Sequence, residues 1–304
     1  MPSTITHTHI SLDTLKRVNL KPKELISKHL EDYKSFAQGM DILYFYHILL
    51  IKSNIVQKLG HDFHHEKTNE VFKYIIEYNK ENKSDIIFTF LSGLITHYVA
   101  DSTIHPYVNY IAKSKTKLEQ TDRHFEVETY LDNYMISKKH KDYKTFKNYK
   151  LQFNNKKNQK IIKLIDNIYQ EFFNYPNMGK KYYQALKEMR FVFKYIRHDK
   201  TGIKRKIFQL IDFNKFKIRR VTYLSYHFEL KNFDHYLNTT NKKWFNIRNE
   251  SITSNKSFEE LYIDTCKKAS NIINKLYEYI YQDKKIDLDK LLENRSYSTG
   301  LPIK

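Results

Sequence analysis

The stretch SDIIFTFLSGLITHYVADSTIH, residues 84–105, constrains the fold more than any other part of the chain. It is the most apolar helical segment in the sequence, and its spacing predicts a helix that begins near Ser84 and crosses a core. His97, Asp101 and His105 follow one another along it at four-residue intervals. Polar groups on a buried helix have to be satisfied by something. Two imidazoles and a carboxylate at one-turn spacing either pair with each other or hold a cation. Pro106 comes next, and the residue before a proline avoids helical geometry. His105 is therefore expected at the helix end, swung off the stripe made by His97 and Asp101.

The remaining segments supply helices to surround this one. Six Gly and five Pro in 304 residues are too few for the turns of a sandwich or barrel, so the expected class is all-α, a multi-helix bundle. SLDTLKRV begins with Ser11 as a cap, PKELISKHLEDY places Pro22 near a helix start, and HHEKTNEVFKYIIEYNKEN sets Val71, Ile75 and Tyr78 along one face. TDRHFEVETYLDNYMI forms another helix with Thr121 or Asp122 as its cap. The lysine-rich residues 137–159 read as a connector, and helices resume near 160–175, 180–197 and 204–211. Residues 216–238 are compatible with a short strand or a helix, whereas Ser257 and Glu260 form a capping box at the start of a long final helix. The tail from about 284 reads as frayed. The expected division is a metal-binding helical core, 1–137, with a basic helical part, 138–304, packed onto it as one domain.

Charge divides the chain differently from hydropathy. The formal net charge is +19, yet residues 1–128 hold 16 Lys or Arg against 16 Asp or Glu, while residues 129–304 hold 37 against 18. Ten of the 14 histidines lie at or before His124. Chemistry is thus expected in the neutral half, with the basic half either a solvated surface typical of AT-rich coding or a surface that steers anionic partners. Cys266 is the sole cysteine, which excludes internal disulfides and cysteine-based zinc knuckles. No apolar run reaches membrane-spanning length, and MPSTITHTHI has neither a basic leader nor an apolar signal core, so the expected location is cytoplasmic.

The histidines and carboxylates of the neutral half fall into a pattern. His97-x-x-x-Asp101 puts two ligands on one helical face, and His124-x-x-x-Glu128 repeats the arrangement on the next helix, with His105 between them. Upstream stand His7, Asp41 in GMDILYFY, and His61, His64 and His65 in GHDFHHE. Nitrogen and carboxylate ligands without cysteine suit zinc or a similar divalent ion in a catalytic role. A single such pair is commonly an ion pair; two pairs within 32 residues beside further histidines are not.

These pieces, in the order MPSTITHTHI, GMDILYFY, GHDFHHE, HYVADSTIHPYV and HFEVE, resemble the zinc-dependent phospholipase C family, whose phospholipase C/D-type domain is shared more distantly with single-strand-specific fungal nucleases. The resemblance is specific over 1–128 and extends weakly to YLNTTNKKWFN and SFEELYIDTCKKA. It implies an all-helical fold, with a metal site between core helices, and three zinc ions; two to three are expected on this chain. By that resemblance His64, His97, Asp101 and Asp41 hold the first ion. Asp101 bridges to a second held by His7 and the N-terminal amine and carbonyl, and His105, His124 and Glu128 hold a third, more open one. The implied mechanism is attack by hydroxide on phosphorus with charge spread over the metals, Asp41 orienting the water or acting as general base. Two features depart from the pattern. The secreted relatives begin their mature chain with tryptophan, where this chain offers Pro2 once Met1 is removed. The interval from Asp101 to His105 is also two residues shorter than theirs.

The other candidates are assigned humbler roles. His9, His61 and His65 are expected as outer support or surface residues, Trp244 as a packing anchor, and the basic runs IKRK and KIRR as solvated faces. His61-Asp62 spells the HD of another metal phosphohydrolase class without the rest of its ligand set. The expected function is a zinc-dependent phosphoester hydrolase with phospholipid as the substrate the resemblance implies, together with peripheral membrane contact. A nuclease or phosphomonoesterase on the same metals remains open, as does a non-enzymatic, metal-stabilised protein that binds anions or membrane surfaces.

Overall fold

The computed structural model describes residues 4–50, 54–140, 157–214, 221–227 and 230–303. Three short helices open the chain: α1 (Thr4–Arg17), α2 (Leu20–Ser27) and α3 (Leu30–Phe36). A 3-10 segment over Gly39–Phe45 leads to α4 (Ile55–Phe63) and α5 (Thr68–Asn82). The long α6 (Asp85–Ile111) and α7 (Lys117–Lys139) follow, then α8 (Gln159–Phe173), α9 (Met178–Phe191) with a π-helical turn over Val192–Arg197, and α10 (Ile203–Asn214). The chain ends with α11 (Phe233–Leu237), a hairpin of β1 (Trp244–Asn246) and β2 (Asn249–Ser254), α12 (Phe258–Gln282) and α13 (Leu288–Leu292). The class is all-α.

The central position of α6 follows from its composition. Nearly every side chain from Ile86 to Asp101 is buried, so neighbours are needed on all sides, and α1, α2, α3, α5, α7 and α12 supply them. No helix among the described residues is long and apolar enough to cross a membrane, α6 included. One core cluster gathers α3 to α6 with α8, α9 and the C-terminal half of α12; a second joins the lower part of α6 to α7, Trp244 and the start of α12. Trp244 is the packing anchor its surroundings suggested: its ring lies 5.4 Å from that of Tyr107, and its indole N–H donates to the Lys256 carbonyl.

Several boundaries differ from those read in the sequence. Ser11 caps nothing: α1 is already helical from Thr4, and the Ser11 hydroxyl is buried and donates to the Thr8 carbonyl. The N-cap of α7 is Thr116, whose hydroxyl accepts from the Glu119 N–H, one turn before Thr121 and Asp122. At α12 the Ser257–Glu260 capping box is present as expected. Of the 137–159 connector, residues 141–156 lie outside the described residues, as do KIRR (217–220) and Pro2. Within 216–238 the described parts hold a 3-10 turn at Thr222–Leu224 and α11, while the strands form later, at 244–254. The tail is not frayed. It builds α13, then doubles back so that Arg295 bridges Pro302, and Tyr297 is buried.

Candidate metal centre

Pro106 does not end the helix. α6 continues through it to Ile111, so His97, Asp101 and His105 all stay on one stripe, contrary to the expected swing of His105. The proline removes one backbone donor, which in an unbroken helix would bond the Ser102 carbonyl. Gly300 packs against that carbonyl. A Cβ at position 300 would stand 2.4 Å from the Ser102 oxygen, and the residue has φ +65°, so glycine is required twice over. The helix keeps its register through Pro106, and the tail lies against the interrupted rung.

The other elements bring their groups to this stripe. Thr6, the neighbour of His7, is tied to α7: its N–H and hydroxyl both bond the buried Asp132 carboxylate, at 2.8 and 2.9 Å. His7 thereby faces α6, with Nε2 3.1 Å from Asp101 Oδ1. Asp41 sits in the 3-10 segment after Gly39. Gly39 has φ +59°, and a Cβ there would lie 2.2 Å from the His97 ring, so the close approach depends on glycine. His64 is the C-cap residue of α4, whose own start is fixed by an Asn54–Gln57 capping box. From α7, Glu128 reaches His124 Nε2 at 3.1 Å and His105 Nε2 at 3.3 Å.

Two donor groups result. Asp41, His64, His97 and Asp101 form the first, all buried; His105, His124 and Glu128 form the second, which is more open. The spacings within them resemble the edges of a coordination polyhedron. His64 Nε2 lies 3.3 Å from His97 Nε2, His97 Nε2 lies 3.3 Å from Asp101 Oδ2, and Asp41 places one oxygen 3.5 Å from each imidazole. The donors of a tetrahedral zinc at bond lengths of about 2.1 Å stand about 3.4 Å apart. Asp101 lies between them, since its other oxygen is 3.1 Å from His7 Nε2 and 3.7 Å from His105 Nε2.

Tautomers sharpen the argument at the second group. A carbonyl can only accept, so His105 Nδ1 donates to the Tyr297 carbonyl at 3.0 Å. The Asn109 amide nitrogen donates to the Ser298 carbonyl, which leaves its oxygen to accept from His124 Nδ1 at 3.1 Å. With Nδ1 spent as a donor, each ring turns its Nε2 toward a carboxylate, the orientation from which an imidazole would ligate a cation held between them. Left to themselves the groups respond as crowded charges do. Burial, reinforced by the Asp101 charge, pushes Asp41 well above the carboxylate range. Burial would raise Asp101 as well, but His105, His97 and His7 hold it far below that range. Burial lowers His64 to about 4, while Asp101 and Glu128 overcome it at His105 and push that ring up to about 9. The donor set, its spacing and its tautomers fit zinc.

The zinc dependent phospholipase C family matches residues 3–189. The chain belongs to that family. Neither the curated proteins nor the solved structures contain a match. Family and donor groups together support a zinc cofactor in a hydrolase of this family.

The groups open into a cleft of about 350 Å³ walled by Tyr44, His61, His65, Tyr297 and Ser298. His61 and His65 are exposed at its rim, with their rings 4.3 Å apart. His9 is elsewhere: it is buried away from the cleft, with the His140 ring 5.4 Å away. Burial accordingly lowers its pKa to about 4. Sequence reasoning missed Asn109, Tyr297 and Ser298. The last two lie beyond the matched residues, in a tail whose Ser, Thr, Gly and Pro content carries no periodic signal.

Proposed function

We propose that this protein is a zinc phosphodiesterase of phospholipase C type that cleaves phospholipids. The observation that carries the reading is the position of Asp101, which turns one oxygen to His97 and the other to His7 and His105 and so supports a polynuclear centre of the kind used for phosphoryl transfer. In this reading His64, His97, Asp41 and Asp101 hold one ion, and His105, His124 and Glu128 hold another. His7 and Asp101 hold a third together with the N-terminal group of Pro2. Zinc bound there supplies Lewis acidity for phosphate oxygens and lowers the pKa of water.

The remaining work falls to the chain. Asp41, facing both His64 and His97, orients the attacking water and accepts its proton. Tyr44 and Ser298 in the cleft wall hold the substrate over the donor groups and limit access of bulk water. The P–O bond to the diacylglycerol breaks, the oxygen from water stays on the phosphorylated headgroup, and the diacylglycerol leaves as an alcohol. Residues 1–137 and 138–304 act as one unit in this proposal, because α12 packs across α1 and α6 and the tail closes the cleft.

Zinc-loaded protein assayed on phosphatidylcholine, bis-p-nitrophenyl phosphate, p-nitrophenyl phosphate and single-stranded DNA tests the proposal. Release of diacylglycerol and of p-nitrophenol from the diester is the expected result. Cleavage of DNA alone would replace it with the nuclease reading that the basic surplus after residue 128 favours. Binding without turnover of any substrate would replace it with a non-enzymatic one.

A further inference from the structure

Helix α10 wears its apolar face outward. Ile203, Ile207, Leu210 and Ile211 are 59, 50, 63 and 38 % exposed, and their i, i+4, i+7, i+8 spacing puts them on one ridge. Phe208 and Asp212, on the opposite side of the helix, are half-buried. Asp212 anchors that side by accepting from the Val221 and Thr222 N–H groups at 2.8 and 2.9 Å. A soluble helix normally shows the reverse arrangement. The apolar surface continues at the start of α10, where the Lys204 ammonium donates to the Tyr195 carbonyl; Tyr195 and Phe191 are exposed with ring centroids 4.9 Å apart.

The charge around this ridge selects its occupant. Residues 190–213 contain seven Lys or Arg, of which Arg197 alone is fully buried, and two Asp. Neither carboxylate serves the ridge, because Asp199 accepts from the Gly202 and Arg205 N–H groups and Asp212 is turned inward. An apolar ridge flanked by cations is complementary to a bilayer with anionic headgroups, into whose interface such a helix sinks about 5–10 Å. It is tied to a helix that carries part of the site. Asp212 holds Thr222, and the neighbouring Tyr223 carbonyl accepts from Thr129 on α7, the helix that carries His124 and Glu128.

We infer that α10 is a membrane-docking helix that seats the protein on anionic lipid surfaces beside its cleft. The choice of a lipid surface rests on the phospholipid reading above as well as on the charge.

Sedimentation with vesicles of phosphatidylcholine, with and without phosphatidylserine, compares wild type with Ile207→Asp/Leu210→Asp. Wild type should bind the anionic vesicles in a salt-sensitive manner, and the double variant should bind them about tenfold or more weakly. Both should unfold at the same temperature and cleave bis-p-nitrophenyl phosphate equally. A Leu210→Trp variant, with Trp244 the sole other tryptophan, should shift its emission to the blue on vesicles. Equal vesicle binding by wild type and double variant would overturn the inference, even where phospholipid is cleaved. Loss of vesicle binding in the double variant upholds it, even where no phospholipid is cleaved and the hydrolase proposal falls. A dimer that the double variant dissociates, with no vesicle binding by either protein, would assign the ridge to a second copy of the chain and overturn the inference.

Discussion

The Tyr297 carbonyl accepts a hydrogen bond from His105 Nδ1 at 3.0 Å, although 192 residues separate the two in sequence. That bond fixes the tautomer in which Nε2 faces Glu128 and Asp101. It depends on the tail lying against Ser102, which only Gly300 permits. Gly300→Ala should therefore weaken zinc binding at the His105 group about 10- to 100-fold while leaving helix content unchanged. Competition titration with a chromophoric chelator, followed by circular dichroism of the same sample, measures both.

Zinc content is the most direct check on the donor groups. Protein purified without chelator should carry on the order of two to three equivalents. Removing them leaves carboxylates and imidazoles crowded within 4.8 Å of one another. Chelated protein should therefore melt several degrees lower and recover on adding zinc. Fewer than one equivalent in fully folded protein would exclude a polynuclear centre.

Asp101 and Glu128 are expected to respond unequally to neutralisation. Asp101 approaches His7, His97 and His105, whereas Glu128 approaches His105 and His124. Asp101→Asn removes the anion shared between adjacent cations, and their repulsion is then unscreened. It should lower both zinc content and turnover about tenfold more than Glu128→Gln does. Equal losses, measured by elemental analysis and diester hydrolysis, would argue against a shared carboxylate.

Stability should depend on pH through Asp199. Burial opposes its ionisation, but the Arg205 N–H, the Ser225 hydroxyl and the Gly202 N–H prevail and hold the carboxyl below its ordinary value. The ionised form is therefore favoured by folding. Its contribution is full above the unfolded pKa of about 4 and disappears as pH falls through the depressed folded value. Asp199→Ala should cost about 1 kcal/mol at neutral pH, with the gap to wild type narrowing below about pH 4. Urea unfolding at stepped pH reads this difference, and a gap independent of pH would mean that the carboxylate charge is not its source.

The parts of the fold legible in the sequence were those with local causes. The burial of α6 follows from its own composition, and the cap at Ser257 follows from Glu260 three residues later. The H-x-x-x-D and H-x-x-x-E intervals guarantee shared faces on any helix. Where a distant partner decided the outcome, local reasoning failed. Pro106 predicts a helix end, and the tail that covers the gap comes nearly 200 residues later. Ser11 has the chemistry of a cap but is claimed by a helix that starts about two turns earlier. The hairpin at 244–254 has largely polar, exposed residues in β2 and hence no alternating signal. Asn109 is a common polar residue whose role exists only because Ser298 and His124 arrive on either side of it.

The continuity of α6 has a mechanical consequence. His97 and His105 stand eight residues apart on one unbroken rod, which sets their axial separation at about 12 Å through covalent geometry alone. Packing elsewhere in the protein has no means of altering that interval. His124 and Glu128 ride on a different rod, α7, joined to the rest by side-chain contacts that yield more readily than a helix does. The interval along α6 is therefore set by the helix, and the interval from α6 to α7 by side-chain packing. A molecule entering the cleft meets one wall whose spacing the helix itself dictates and another whose place depends on packing.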